Sequence, residues 1–286
     1  MTPDNYSLLK CKNGHFLLEN SDMISKVMRF YGEWGENSIE VMRLFLEKGN
    51  TAVDIGANIG TITMALADAV GDTGKVYAFE AQRQVFYNLC TNIMMNSKKR
   101  VFARRLLIGD RQGNLPLRND SDEYNGETYN RGGKSFAEEM KNGNQVNSGY
   151  DRVNMNTLDD ELTNLDTVDL IKIDVEGAEP MVLRGAERTL DKHCPTVYLE
   201  CGNSGLFEEV IPILKRKGYK CYWHAALHFR PDNYFRCGNV TGQLGDLNIL
   251  AVPPRVSMRE GLVQKFKLKE CIDWQQVKEE FADFVF

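Results

Sequence analysis

The chain has 286 residues, 42% of them apolar and 26% charged, which suits one large globular domain with short end pieces and excludes a disordered chain. Its 40 acidic residues outnumber 35 basic ones for a net charge of −5, the wrong sign for a polyanion partner, so nucleic acid is not expected. No apolar run approaches the roughly 18 residues that span a bilayer, residues 1–20 carry no signal pattern, and the seven cysteines form no CxxC pair; a cytoplasmic chain with reduced thiols and no cysteine zinc site is expected.

In chain order, residues 1–48 read as a helical lead-in, with Met23, Val27, Met28 and Phe30, then Ile39, Met42, Leu44 and Phe45 at near-helical spacing. Residues 49–254 alternate strands with helices. Thr51–Ile55 is a buried strand, Ile59–Val70 a helix stopped by Gly71 and Gly74, Lys75–Glu80 a strand, Gln84–Asn96 a helix and Arg104–Ile108 a third strand. Residues 111–153 are rich in Asn, Gly, Ser and Asp and read as a long insertion, a possible lid over an acceptor site. Order returns with a short helix at Leu158–Leu165, a strand at Val168–Ile173, a helix over 179–193 with Pro180 in its first turn, and a strand at Thr196–Glu200. A helix over 206–217, broken or delayed by Pro212, leads to two strands, Tyr219–His224 and Asn248–Val252. No helix joins these two, so they pair antiparallel. Residues 255–286 form a helical tail in which Trp274, Val277, Phe281 and Phe284 dock back.

This order predicts an α/β fold: a Rossmann-like, seven-stranded, mostly parallel sheet with helices on both faces and a C-terminal antiparallel hairpin. Ligands in such sheets bind beyond the carboxyl ends of the strands, near the switch point, which nominates the residues after each strand. Asp54-Ile-Gly56-Ala-Asn58-Ile-Gly60 follows the first. Gly56 turns the chain, Gly60 lets the helix approach the sheet, and the free helix N–H groups meet a ligand. Asp54 stands where a dinucleotide-binding loop needs glycine; its carboxylate repels pyrophosphate and suits a ligand with ammonium and sulfonium charge. Glu80, ending the second strand, is placed to accept both ribose hydroxyls of a nucleoside. Asp110, after the third, is placed to meet the adenine amino group.

Asp174 and Glu176 follow the fourth strand. They are candidates to deprotonate an acceptor hydroxyl, or to hold a divalent metal such as Mg2+ that acidifies it. Glu200 sits at the rim after the fifth strand, and His228, in the final loop, is a further candidate base. A DNA adenine methyltransferase would carry an Asn/Asp-Pro-Pro-aromatic motif where Asp174-Val-Glu-Gly stands. A non-catalytic cofactor-binding or interaction module is the alternative reading.

With these residues in place, the chain resembles the FkbM family of S-adenosylmethionine-dependent methyltransferases. The resemblance rests on Val53–Gly60, Val76–Glu80, Thr157-Leu-Asp-Asp160, Ile171–Glu179 and Leu183-Arg-Gly-Ala186, with Tyr31-Gly-Glu33 and Asn248–Pro253 also similar. It implies a class I methyltransferase fold and O-methylation of a hydroxyl on a sugar, glycan or other small hydroxylated acceptor. It also implies S-adenosylmethionine contacts at Asp54, Gly56, Asn58, Glu80 and Asp110. Where the family ends its second strand in Glu-Pro, this chain has Glu80-Ala81. Asn130-Arg-Gly-Gly133-Lys-Ser135 is similar to a Gly-Gly segment near the family's acceptor site, making Asn130, Gly133 and Ser135 candidate substrate contacts. Neither the acceptor nor the oligomeric state is legible.

Overall fold

The structure, a computed structural model, describes residues 5–118, 150–258 and 261–286. Its first element corrects the helical lead-in: residues 6–19 form an antiparallel hairpin, β1 (Tyr6–Cys11) and β2 (Gly14–Glu19). Burial there alternates, with Phe16 and Leu18 inward and His15 outward, the two-residue period of a strand. The helical period begins only at α1 (Met23–Tyr31), where the Asp22 side chain accepts the Ser25 N–H at 2.9 Å. α2 (Glu36–Arg43) follows.

The main body runs β3 (Thr51–Ile55), α3 (Thr61–Val70), β4 (Lys75–Glu80), α4 (Arg83–Met95) and β5 (Val101–Arg105). After Leu106 come β6 (Leu107–Gly109), β7 (Gly113–Arg118), β8 (Tyr150–Thr157), α5 (Leu158–Glu161), β9 (Leu170–Ile173), α6 (Glu179–Arg184), α7 (Glu187–His193) and β10 (Thr196–Glu200). The chain closes with α8 (Ser204–Arg216), β11 (Lys220–Leu227), β12 (Gly245–Val252), α9 (Leu262–Lys265), β13 (Lys269–Glu270) and α10 (Gln275–Glu280).

The sheet order is β13-β11-β12-β10-β9-β3-β4-β5. β10, β9, β3, β4 and β5 are parallel, and β12 and β11 pair antiparallel with β10 and each other. These are the seven expected strands, with β13 added at the edge. β3 is buried at all five residues, as a strand covered on both faces must be. Successive strands turn away in opposite directions from the β3–β9 pair, so the crevice opens beyond their carboxyl ends.

Four local expectations need correction. The third strand ends at Arg105, and β6 joins β8 and β7 in a separate three-stranded sheet, so both ends of the 111–153 insertion are strand. Leu115, Leu117, Val153 and Met155 of that sheet pack with Ala81, Ala178 and Met181 beside the crevice. The 179–193 helix is two helices, parted at Gly185 and Ala186, whose ψ angles of 0 and 10 leave the helical range; Gly185 also lies so near the Gly109 carbonyl that a Cβ would sit 1.9 Å from its oxygen. Pro212 does not break α8: it lies on the exposed face, where water can serve the carbonyl that proline leaves free. The tail is two short helices and a strand, with Trp274 packed edge-on to Trp223 at 5.7 Å.

Candidate functional site

Beyond β3, β4, β9, β10 and β12 lies a cavity of about 380 Å³. One half is built from the β3–α3 and β4–α4 turns. Gly56 has φ +74, and a Cβ there would fall 1.7 Å from the Asp174 carbonyl oxygen, so only glycine admits the close approach of the two turns. Asn58 and Glu80 line the cavity. Glu80 is buried, and its two oxygens accept the backbone N–H groups of Asn58 (2.9 Å) and Gln82 (2.8 Å). Burial nevertheless raises its carboxyl to about 7. Phe79, Ala81 and Leu106–Ile108 supply an apolar wall beside it.

Two nominated residues sit elsewhere. Asp54 lies under the floor, fully buried, accepting the Thr63 hydroxyl at 2.6 Å and pairing with the Lys172 ammonium at 3.2 Å. The cation it faces is thus the protein's own. Asp110 is outside the lining, tied to Arg111 at 3.0 Å and near Arg184 at 3.9 Å. Gly60 caps α3 against Leu89, as its packing role requires. Asn130, Gly133 and Ser135 lie outside the described residues.

The other half is acidic. Asp174, Glu176, Glu200 and Asp246 all line it. Asp174 is held by its N–H on the Ile55 carbonyl (3.1 Å) and by Lys172, whose Nζ is 3.4 Å from Oδ2. Lys172 also donates to the Gly56 carbonyl at 2.7 Å. Glu176 sits at φ +53 in a tight turn. Buried Glu179 fixes that turn by accepting the Val175 N–H (3.0 Å) and the Gly177 N–H (3.0 and 3.2 Å). Burial, then the charge of Asp174, raises Glu176 to about 7. The same causes raise Asp246 to about 7 and push Glu200 well above the ordinary carboxyl range.

His228 lines the cavity with its ring 4.3 Å from that of Trp34 and Nε2 3.8 Å from Asp246 Oδ1. Burial lowers its pKa to about 4, so the imidazole is neutral at pH 7. Sequence reasoning missed Lys172, Asp246 and Trp34. Lys172 had a signal: a lysine inside the apolar strand Leu170–Ile173 demands a buried partner. Trp34 and Asp246 had none, since they reach the cavity from opposite ends of the chain.

The TLDD segment, in contrast, is structural. Thr157 caps α5, and Asp159 accepts the N–H groups of Arg188 (3.0 Å) and Thr189 (2.7 Å) at the start of α7.

Carboxylate oxygens of Asp174, Glu176 and Glu200 lie within 4.8 Å of one another, a spacing within reach of a divalent cation. The donor set does not fit one. Lys172 already places a positive charge 3.4 Å from Asp174, where it would repel a metal and where it supplies the charge a metal would bring. The expected Mg2+ on Asp174 and Glu176 is not carried by this arrangement.

A family model described as the methyltransferase FkbM domain matches residues 54–221, more than half of the chain. A demethylmenaquinone methyltransferase of Bacillus licheniformis is 25% identical over 110 residues, 38% of this chain and 44% of that protein. The chain thus spans under half the length of that curated relative. Among solved structures, the FkbM methyltransferase of Methylobacillus flagellatus is 17% identical with a TM-score of 0.45, over 79% of this chain and 53% of that one. An S-adenosylmethionine-dependent O-methyltransferase of Thermotoga maritima is 15% identical with a TM-score of 0.46, over 88% of this chain and 79% of that one.

Proposed function

The chain belongs to the FkbM family of S-adenosylmethionine-dependent methyltransferases, and we propose that it methylates a hydroxyl of a neutral, polyhydroxylated acceptor such as a sugar or glycan. The observation that carries this reading is the composition of the acceptor half: four carboxyl groups beside the tilted Trp34–His228 ring pair. Carboxylates accept hydrogen bonds from several hydroxyls at once, and an aromatic face packs against the C–H face of a saturated ring. A wall of acids gives a phosphorylated or carboxylated acceptor no cationic partner at the cavity surface, which favours a neutral one.

The cofactor supplies an electrophilic methyl group on a sulfonium. The Gly56 turn, the Asn58 N–H region and Glu80 fit its nucleoside, with Glu80 accepting hydroxyl donors and Phe79, Ala81 and Leu106–Ile108 covering an apolar ring. On the acceptor side Asp174 is the base: it lies in the cavity, and Lys172, 3.4 Å away, holds it in place. Glu176 and Asp246 take the neighbouring hydroxyls. Neutral His228 backs Trp34. The seven free thiols favour a reducing, cytoplasmic setting, and among the described residues no helix is long and apolar enough to cross a membrane.

The test is transfer of labelled methyl from S-adenosylmethionine to a panel of neutral sugars, glycans, small alcohols, amines and anionic sugars, with and without chelator. An ether on a neutral sugar, formed equally with chelator, supports the reading. Label on nitrogen, or loss of product with chelator, contradicts it. Cofactor binding without product from any acceptor favours a non-catalytic role.

A further inference from the structure

The loop between β11 and β12 leaves the cavity rim and returns to it. His228 and Leu244 both line the cavity, and the His228 N–H donates to the Leu244 carbonyl at 3.0 Å. Between them the backbone is tied down along its length. Asn233 is fully buried, donating to the carbonyls of Arg230 and Cys237 (both 2.7 Å) and accepting the Cys237 N–H at 2.9 Å. The Tyr31 hydroxyl accepts the N–H groups of Val240 (2.8 Å) and Thr241 (3.0 Å), and the Tyr31 carbonyl accepts the Phe235 N–H at 3.1 Å. What this frame presents to water is a pair of rings. Tyr234 and Phe235 stand 42% and 40% exposed, with centroids 5.3 Å apart. Both press an edge on the backbone of Gly32, where a Cβ would lie 2.8 Å from Tyr234 Cδ1 and 2.9 Å from Phe235 Cδ2. Gly32 is two residues from Trp34, a span of about 7 Å at most, and Trp34 lines the cavity. The ring pair is therefore joined to the acceptor half twice, through Gly32–Trp34 and through His228.

We propose that Tyr234 and Phe235 form a second carbohydrate subsite, outside the cavity, which holds a further sugar unit of an oligomeric acceptor while the reacting sugar occupies the cavity. The inference rests on the reading of the acceptor as a sugar and narrows it from single sugars to oligosaccharides. Aromatic surface left in water on so well ordered a backbone adds nothing to folding. It suits a ligand that stacks its C–H face on the rings, as a saturated sugar ring does. Size favours the same occupant. The exposed parts of the two rings come to on the order of 150 Å², far below the roughly 800 Å² per partner of a stable protein interface. Charge does too: Asp232 and Arg236, exposed on either side, cancel, and Arg230 is engaged by Glu40 at 2.7 Å, so this loop offers an anionic membrane no net attraction.

The test is calorimetry on the full chain with neutral oligosaccharides of glucose, mannose and galactose, one to five units long. In at least one series the affinity should rise about tenfold between one unit and three. Tyr234→Ala and Phe235→Ala should each remove most of that gain and leave the affinity for the single sugar as in the wild type. Tyr234→Phe, which keeps the ring, should keep the gain. Unchanged S-adenosylmethionine affinity in all three variants checks the fold. Affinity that does not rise with length in any series, or a rise that both alanine variants retain, overturns the proposal. So does binding to vesicles of phosphatidylcholine and phosphatidylserine, or a dimer in sedimentation, that either alanine variant abolishes, since the rings would then serve a membrane or a second copy. The two readings fail separately. A chain that binds oligomers through these rings but transfers no methyl to them supports the subsite and counts against hydroxyl methylation. A chain that methylates single sugars and gains nothing with length does the reverse.

Discussion

Glu80 carries the sharpest consequence at the scale of one residue. Its carboxyl is buried and spends one lone pair of each oxygen on a backbone N–H, leaving the remainder for hydroxyl donors. Only the ionised form offers both oxygens as acceptors. With its pKa raised to about 7, protons compete with cofactor below that value. Cofactor affinity should therefore weaken as pH falls through about 7. Glu80→Gln should weaken binding by about 2 kcal/mol at higher pH and reduce the pH dependence to what Glu176 and Asp246 contribute; calorimetry across this range checks both. Gly56 makes a second case. Gly56→Ala forces a Cβ onto the Asp174 carbonyl at φ +74, and should cost about 2 kcal/mol or more of stability, with loss of cofactor binding, in thermal melts and titrations.

At the scale of elements, sequence pattern and structure agree where burial decides the outcome. β4 and β10 are largely apolar runs that end in Glu80 and Glu200, β9 is followed directly by Asp174, and these ends gather at the crevice. The pattern misled where two periods abut. Residues 6–19 alternate with period two, but the strong helical stripe from Met23 onward hid them; the Leu17 N–H on Asn92 Oδ1 (2.8 Å), the His15 N–H on Asn96 Oδ1 (2.8 Å) and the packing of Phe16 and Leu18 with Ile59, Met64 and Val85 make the hairpin part of the body. Gly185 was legible as a small residue but not as a contact with Gly109, which depends on β6 leaving the main sheet. Asp159 is the clearest element-scale device, capping α7 from α5. Asp159→Ala should lower stability by about 1–2 kcal/mol in chemical denaturation and leave methyl-transfer kinetics unchanged.

At the scale of the whole molecule, the cofactor half is local and the acceptor half is not. Gly56, Asn58 and Glu80 lie within one βαβ unit, which is why motif spacing nominates them. The acceptor wall takes Trp34 from the lead-in, His228 and Asp246 from the final hairpin, and Asp174 and Glu200 from the middle of the chain. An ion network binds these ends: Glu33 accepts the Tyr234 N–H at 3.0 Å and lies 3.7 Å from both Lys12 and Arg230, and Arg230 reaches Glu40 at 2.7 Å. No spacing rule joins residues about 200 positions apart, so this half emerges only from the fold. Trp34→Ala should raise the acceptor KM about tenfold without changing cofactor affinity.

The role of Asp174 as base is tested by methyl transfer from labelled S-adenosylmethionine to the best neutral sugar acceptor, with Asp174→Asn assayed beside the wild type. The amide keeps the shape and removes the base. The wild type should yield a labelled ether, and the variant should bind cofactor normally but turn over at least about a hundredfold more slowly. A variant with the wild-type rate would contradict it.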